Sequence, residues 1–355
     1  MHLHAHRRWT TLAHHQFWLV LLSLATALGP RTTALACDIC AVYTATEQGP
    51  SRTGFRSGLA VQYTHYGTLQ DDGHEVPNPH DESLDSVITQ LFFGYQLTPR
   101  IGLQLNLPLI TRQFERFHDG KRERGNVNGP GDMTIFGHVL VHSIVTERSI
   151  FRFSLLGGLK LPTGDPDRLD EELAEVQSAG IRRRLVPRHV EPPSGGGGGG
   201  SDPEHEESGV HGHDLALGSG SVDGLVGGDI FWSYDRFFVN GELHYSIRTE
   251  GAFQYTYAND LTWSGGPGWY VLLDHDKSIA LQAVVSGETK GNDEQAGQHL
   301  NDTAITRLFL GPGVIFSWGT SLSGEAGIDI PVYDHNTALQ IVPDYRMRLA
   351  AIWRF

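Results

Sequence analysis

Cysteine is almost absent from this chain. Its 355 residues hold two, Cys37 and Cys40, which excludes a small domain stapled by a disulfide framework. Basic residues are also in short supply. The 27 Lys and Arg face 41 Asp and Glu, a formal charge of −14, and this excludes the basic surface that a nucleic-acid partner requires. Long apolar runs are missing outside residues 17–28. Nothing else approaches the ~18 consecutive apolar residues of a spanning helix, and the mean hydropathy is −0.26. Enzyme signatures are lacking as well. The chain has no G-x-S-x-G elbow, no H-E-x-x-H pair and no Gly-rich phosphate loop, so the expectation is a non-enzyme without a cofactor or metal.

What is present is alternation. In the last eleven residues Tyr345, Met347, Leu349, Ala351, Trp353 and Phe355 share one face at period two, and Arg346, Arg348 and Arg354 fall on the other. An apolar face backed by three arginines suits a wall with lipid on one side and water on the other. The terminal Trp353 and Phe355 resemble the C-terminal assembly signal of bacterial outer-membrane β-barrels. At the other end, Arg7 and Arg8 precede the apolar run Phe17–Leu28 and the Ala34-Leu-Ala36 cleavage pattern. That is the layout of a signal peptide over residues 1–36. Cleavage there leaves 24 basic against 41 acidic residues.

The same period recurs along the chain. Ile101, Leu103, Leu105, Leu107 and Leu109 alternate with Gln104 and Asn106, and Phe237, Val239, Leu243 and Tyr245 alternate with Asn240, Glu242 and His244. A helix would place its apolar residues at i, i+3 and i+4. The pattern predicts about twelve strands, over 54–67, 84–98, 101–114, 132–145, 149–162, 222–234, 236–248, 259–273, 277–289, 304–318, 320–333 and 342–355. Short turns near 98–100, 146–148, 234–236, 274–276 and 318–320 alternate with polar loops at 68–83, 115–131, 163–221, 249–258, 290–303 and 334–341. Such alternation is that of an antiparallel up-and-down transmembrane β-barrel with periplasmic turns and extracellular loops. The expected organisation is a signal peptide (1–36), a periplasmic segment bearing the C-x-x-C pair (37–53), and a barrel (54–355) with an insert at about 165–215. In an oxidising envelope Cys37 and Cys40 are expected to pair with each other. The insert holds six consecutive glycines at 195–200 and an acidic, His-rich tract at 202–214. Its composition predicts a flexible extracellular excursion, with a plug folded into the lumen as the alternative.

Three signatures occur in order: Gly129-Pro-Gly-Asp132, Leu159-Lys-Leu-Pro-Thr-Gly-Asp165 and Leu217-Gly-Ser-Gly-Ser-Val-Asp223. Together they resemble the bacterial outer-membrane barrel family associated with the meta-pathway of phenol degradation. The resemblance covers residues 129–229 and implies a transport-type barrel for small, hydrophobic or aromatic compounds. The expected partners are outer-membrane lipid, the barrel assembly machinery and a small-molecule solute. A structural or adhesive barrel displaying the insert is the second reading, and a barrel enzyme the third.

Two sets of site residues follow from the pattern. Asp132, Asp165 and Asp223 are placed at one rim, either as a cation-attracting ring or as residues that shape strand ends. The alternation points Arg56, Gln62, Gln104, Asn106, His138, His142, Arg152, Lys160, Asp229, Glu242, His244, Gln282, Glu288, Arg307, Glu325, Asp329, Arg346 and Arg348 into the lumen. Twelve strands lie between the ~8 that side chains fill and the ~16–18 that enclose an open channel, so a narrow passage is expected.

Overall fold

The computed structural model describes residues 53–118, 120–174, 177 and 208–355. The expected signal peptide, the segment with Cys37 and Cys40, and the centre of the insert lie outside the described residues.

In chain order the strands are β1 (Gly54–Asp71), β2 (His74–Val76), β3 (Ser83–Gln96), β4 (Ile101–His118), β5 (Lys121–Pro130), β6 (Met133–Val145), β7 (Ser149–Leu161), β8 (Asp223–Tyr234) and β9 (Phe237–Ile247). They continue as β10 (Tyr255–Thr256), β11 (Asp260–Leu273), β12 (Lys277–Lys290), β13 (Glu294–Gln295), β14 (Gln298–His299), β15 (Ile305–Trp318), β16 (Leu322–Asn336) and β17 (Leu339–Arg354). Twelve of them form the wall, in the order β1, β3, β4, β6, β7, β8, β9, β11, β12, β15, β16, β17. β17 then pairs antiparallel with β1, from Arg56 opposite Arg354 to Asp71 opposite Leu339. Closure leaves no wall strand with an unpaired edge, which a strand crossing lipid cannot tolerate. β2 and β5 extend the wall at one end, and β10, β13 and β14 form a small separate sheet.

Period-two alternation sets the two faces. Exterior positions stay open: Leu103 is 49% exposed, Leu243 49%, Leu281 52% and Leu349 58%. Trp353 and Phe355, at 52% and 79%, lie on that same apolar surface, and the Phe355 N–H donates to the Phe55 carbonyl at 2.8 Å. A continuous apolar exterior of this extent calls for lipid rather than water around it. The opposite parity is buried: Phe92, Ile110, Phe136, Phe231, Phe238 and Phe309 turn inward with a large share of the polar side chains. Gly58 permits one of these packings, because a Cβ there would stand 2.2 Å from the Phe92 ring.

Four expectations are corrected. The loop anticipated at 115–131 is largely a hairpin, because β4 runs to His118 and pairs with β5. The loop anticipated at 334–341 shrinks to Thr337-Ala338, with Ala338 at φ +52°, because β16 continues to Asn336 and β17 begins at Leu339. His142 does not face the lumen. The β6–β7 ladder slips one residue between Leu140 and His142, so His142 pairs with Phe153 and Ser143 with Arg152. One residue of slip reverses every following side chain, and His142 lies on the exterior 6.0 Å from the Phe151 ring. Finally, the described ends of the insert fold inward rather than leaving the barrel. Val210, Leu215, Ala216 and Leu217 are all nearly fully buried, the Val and the two Leu contributing roughly 1.5–3 kcal/mol each of apolar burial.

Candidate functional site

The lumen is crossed by paired charges. Arg348 reaches Asp329 at 2.7 Å and Glu325 at 3.4 Å, and Arg346 reaches the same Asp329 at 3.1 Å. Arg346 also donates to the Ser286 hydroxyl at 2.6 Å and lies 4.1 Å over the Phe309 ring. Arg307 bridges Glu288 at 3.4 Å and Asp334 at 3.3 Å. Nearer the short-turn end, Arg56 donates to Gln104 at 2.9 Å, and Gln104 to Asn106 at 2.8 Å. His244 stands 3.9 Å from Glu242. By register, His138 lies opposite Gly102 and Asp229 opposite Glu242. Gln62 and Gln282 line a cavity of about 120 Å³ bounded by β1, β9, β11, β12 and β15–β17. Closely paired charges are what a low-dielectric interior demands, so the barrel is crossed by a bracing layer with one polar hollow in it.

The mouth at the long-loop end of the barrel is closed by residues 208–222, which include the one-turn helix α1 (Gly212–Leu215). Its contacts reach opposite walls. The Ile341 N–H of β17 donates to the Gly209 carbonyl at 2.8 Å, and the Gly209 N–H donates to Glu82 at 2.8 Å. Arg112 of β4 donates to the Asp214 and Ala216 carbonyls. Val210 and Leu215 pack with Tyr66, Leu69, Leu84, Phe114 and Ile341. On the far side Ala216 joins Leu169, Tyr255 and Tyr257, and His211 faces Asp302 at 3.6 Å. Because β4 and the connection before β15 that carries Asp302 lie on opposite sides of the twelve-strand ring, a segment touching both sides stoppers the mouth.

Buried ions pin the stopper. Glu172, on the helical stretch 169–174, accepts the His213 backbone N–H and contacts its Nδ1, both at 2.9 Å. Burial opposes both charges. The Asp214 and Glu172 carboxylates nevertheless outweigh it for His213 and raise it to about 10. For Glu172, likewise, the nearby His213 prevails over burial and lowers the carboxyl to about 2. When the stopper leaves, both return toward their ordinary values of 6.5 and 4.5. The His213 contribution is therefore complete below pH 6.5 and is lost as pH rises toward 10, while that of Glu172 is complete above 4.5 and is lost toward 2. Closure is expected to be tightest between about pH 4.5 and 6.5. Single-channel recording should show the open fraction rising steadily above pH 7, and a flat profile to pH 9 would remove this pair from the latch.

The three signatures build the hinge of the stopper. Lys160 sits between Asp132 at 3.0 Å and Asp223 at 2.8 Å, and Asp223 continues to Arg248 at 2.8 Å and on to Asp260. Asp132 also accepts the Ser219 N–H at 2.9 Å and the Gly164 N–H at 3.0 Å. Glycine is required at 218, where a Cβ would come within 2.7 Å of the Asp132 carboxylate and 2.6 Å of the Gly164 backbone. Asp132 and Asp223 are thus joined through a lysine that occupies the place a cation would take. Asp165 is not part of this: its side chain is exposed and caps the Asp167 N–H at 2.9 Å, while its carbonyl receives the Leu217 and Gly218 N–H groups. Among the described residues no group of three His, Cys, Asp or Glu side chains is placed to hold a metal.

Several of these residues escape a reading of the pattern. Arg112 and Arg248 sit at lumen parity inside the expected strands 101–114 and 236–248, and the alternation carried to the last residues of those strands finds them. Glu82 is on a loop, and Glu172 and Asp214 are on short helical stretches of the insert, where no period-two alternation marks them.

Comparison with protein-family models and with curated proteins finds no match. Among solved structures, an outer membrane channel from Pseudomonas putida F1 superposes with a TM-score of 0.59 at 14% identity, covering 88% of this chain and 100% of that one. The transport unit of the autotransporter AIDA-I from Escherichia coli gives 0.41 at 8% identity over 89% and 94% of the two chains. The CymD monoaromatic hydrocarbon channel gives 0.35 at 8% over 86% and 89%. These last two likenesses are too weak to carry an argument. The first shows a shared fold. The chain has the fold of an outer-membrane β-barrel, and its apolar exterior band is what that location requires.

Proposed function

We propose that this chain is a gated outer-membrane channel for a small solute, with residues 208–222 as the gate. The observation that carries the reading is a polar hollow inside a closed barrel, lying behind a stopper that is pinned by buried side chains. A barrel built solely for display would have no use for an insert whose ends turn inward, which sets the adhesive reading second. Aromatic or otherwise apolar character of the solute comes from the signature motifs, and the fold shared with an outer membrane channel agrees with passage. The outer face of the barrel fits lipid, and the terminal Trp353 and Phe355 fit recognition by the assembly machinery.

The test is passage through the purified full chain in liposomes, read as solute-driven swelling, together with uptake by cells that carry or lack the protein. Small neutral solutes should swell protein-bearing liposomes faster than empty ones. Identical rates, and unchanged uptake, would leave the barrel without a transport role.

A further inference from the structure

We propose that a second, smaller cavity, beneath the stopper, binds one small monovalent anion of halide size, and that this anion is part of the fastening. The inference holds whether or not a solute passes the barrel. The cavity measures about 30 Å³, room for about two waters or one monatomic ion. Four of its lining side chains carry positive charge: Arg112 of β4, Lys290 of β12, Arg307 of β15 and His213 of the stopper. Three of them have carboxylates close by. Lys290 pairs with Asp293, Arg307 with Glu288 and Asp334, and His213 with Glu172. Arg112 is the exception. It is 1% exposed, and its Nη1 donates to the Asp214 and Ala216 carbonyls. Its Nε is buried without a partner, and among the described residues no carboxylate lies within ion-pair distance of it. Asp214 also lines the cavity, but its carboxylate accepts the His211 N–H at 3.0 Å and lies 3.5 Å from the His213 ring.

A guanidinium does not shed its proton in a protein, and a buried charge is costly unless it is paired. The two carbonyls offer Arg112 dipoles but no full counter-charge. Two hydroxyls beside it are also without partners. Ser86 lies opposite Arg112 in the β3–β4 ladder, and Thr64 lies opposite Ser86 in the β1–β3 ladder. Both hydroxyl oxygens are buried and unbonded. They stand two residues along from Leu84 and Tyr66, which line the cavity. An N–H lacking an acceptor, with two O–H groups next to it, suits an anion. Water in the same place would leave the Arg112 charge uncompensated, and a cation would meet four positive side chains. An anion there borders three wall strands and the stopper at once, so its binding favours the closed mouth.

The denaturant midpoint of the detergent-purified full chain tests this, with sodium chloride replacing sodium gluconate at constant ionic strength. Gluconate is far larger than the cavity. An anion that binds only the folded form raises its stability with the logarithm of concentration once the site fills. The midpoint is expected to climb in this way with chloride and with bromide. Arg112→Met, which keeps an apolar stem and removes the guanidinium, should weaken the apparent chloride affinity roughly tenfold or more. The heat-modifiable gel shift reports whether that variant folds. If it does not, Arg112→Lys, which keeps the charge and lacks the Nε donor, should weaken the affinity in the same direction. Lys121→Gln, at the exposed β4–β5 turn, should leave the response to chloride unchanged. A midpoint indifferent to chloride, or a response that folded Arg112 variants retain in full, would overturn the assignment and leave the cavity to water. An equal loss of response in Lys121→Gln would also overturn it, by tracing the effect to surface screening.

Discussion

Removing residues 166–213 is expected to produce the largest change in this protein, a several-fold rise in single-channel conductance. The junction is geometrically feasible: the Asp165 carbonyl already bonds the Leu217 and Gly218 N–H groups at 3.0 Å, so joining 165 to 214 closes a short turn. The excision takes away Leu169, Glu172, Val210 and His213 and leaves the Asp132–Lys160–Asp223 hinge in place. A point variant reaches the same end by a different route. Glu172→Leu deprives His213 of the carboxylate at 2.9 Å that meets both its ring and its backbone N–H. Breaking one partner out of a buried ion pair costs about 3–5 kcal/mol, and each 1.4 kcal/mol is tenfold. The closed-to-open ratio should therefore fall by about two to three and a half orders of magnitude. Conductance unchanged by both the excision and the point variant would show that residues 208–222 do not gate the lumen.

The second large effect concerns stability. Lys160→Met should lower the stability of the folded barrel by about 3–5 kcal/mol, seen as a fall in the denaturant midpoint and in the temperature of the gel shift. Among the described residues Lys160 is the only ion-pair partner of Asp132, and both side chains are nearly fully buried. Asp223 keeps Arg248 at 2.8 Å, so the loss is centred on Asp132. Adding Asp132→Asn should recover a good part of it, because the amide oxygen can still accept the Gly164 and Ser219 N–H groups while carrying no charge. Equal stability of Lys160→Met and the unmodified protein would mean that these ions are hydrated rather than sealed beneath residues 216–222.

Particular elements show how far the chain can be read without its fold. Alternation in the 101–109 stretch placed Gln104 and Asn106 opposite the leucines, and β4 indeed carries them inward. The same rule misplaced His142, because a one-residue slip in the β6–β7 ladder leaves no mark in local composition. It also missed the role of the stretch 208–222. Low-complexity glycine and histidine next to it argue for solvation, whereas four of its five apolar residues, Val210, Leu215, Ala216 and Leu217, find partners on distant elements. The signatures at 129–132, 159–165 and 217–223 were visible as motifs, but their shared purpose was not: Asp132 meets Ser219 across 87 residues.

What the sequence by itself determined is the wall. Side-chain direction in a strand repeats every two residues and depends only on the backbone beside it, so strand positions, the apolar exterior and most of the inward-facing residues follow from local order alone. What only the tertiary structure decided is the gate and its fastenings. Glu82 holds Gly209 from 127 residues away, and Glu172 holds His213 from 41. Such contacts arise when barrel closure brings loops together over one mouth, where burial turns separate charges into obligatory pairs.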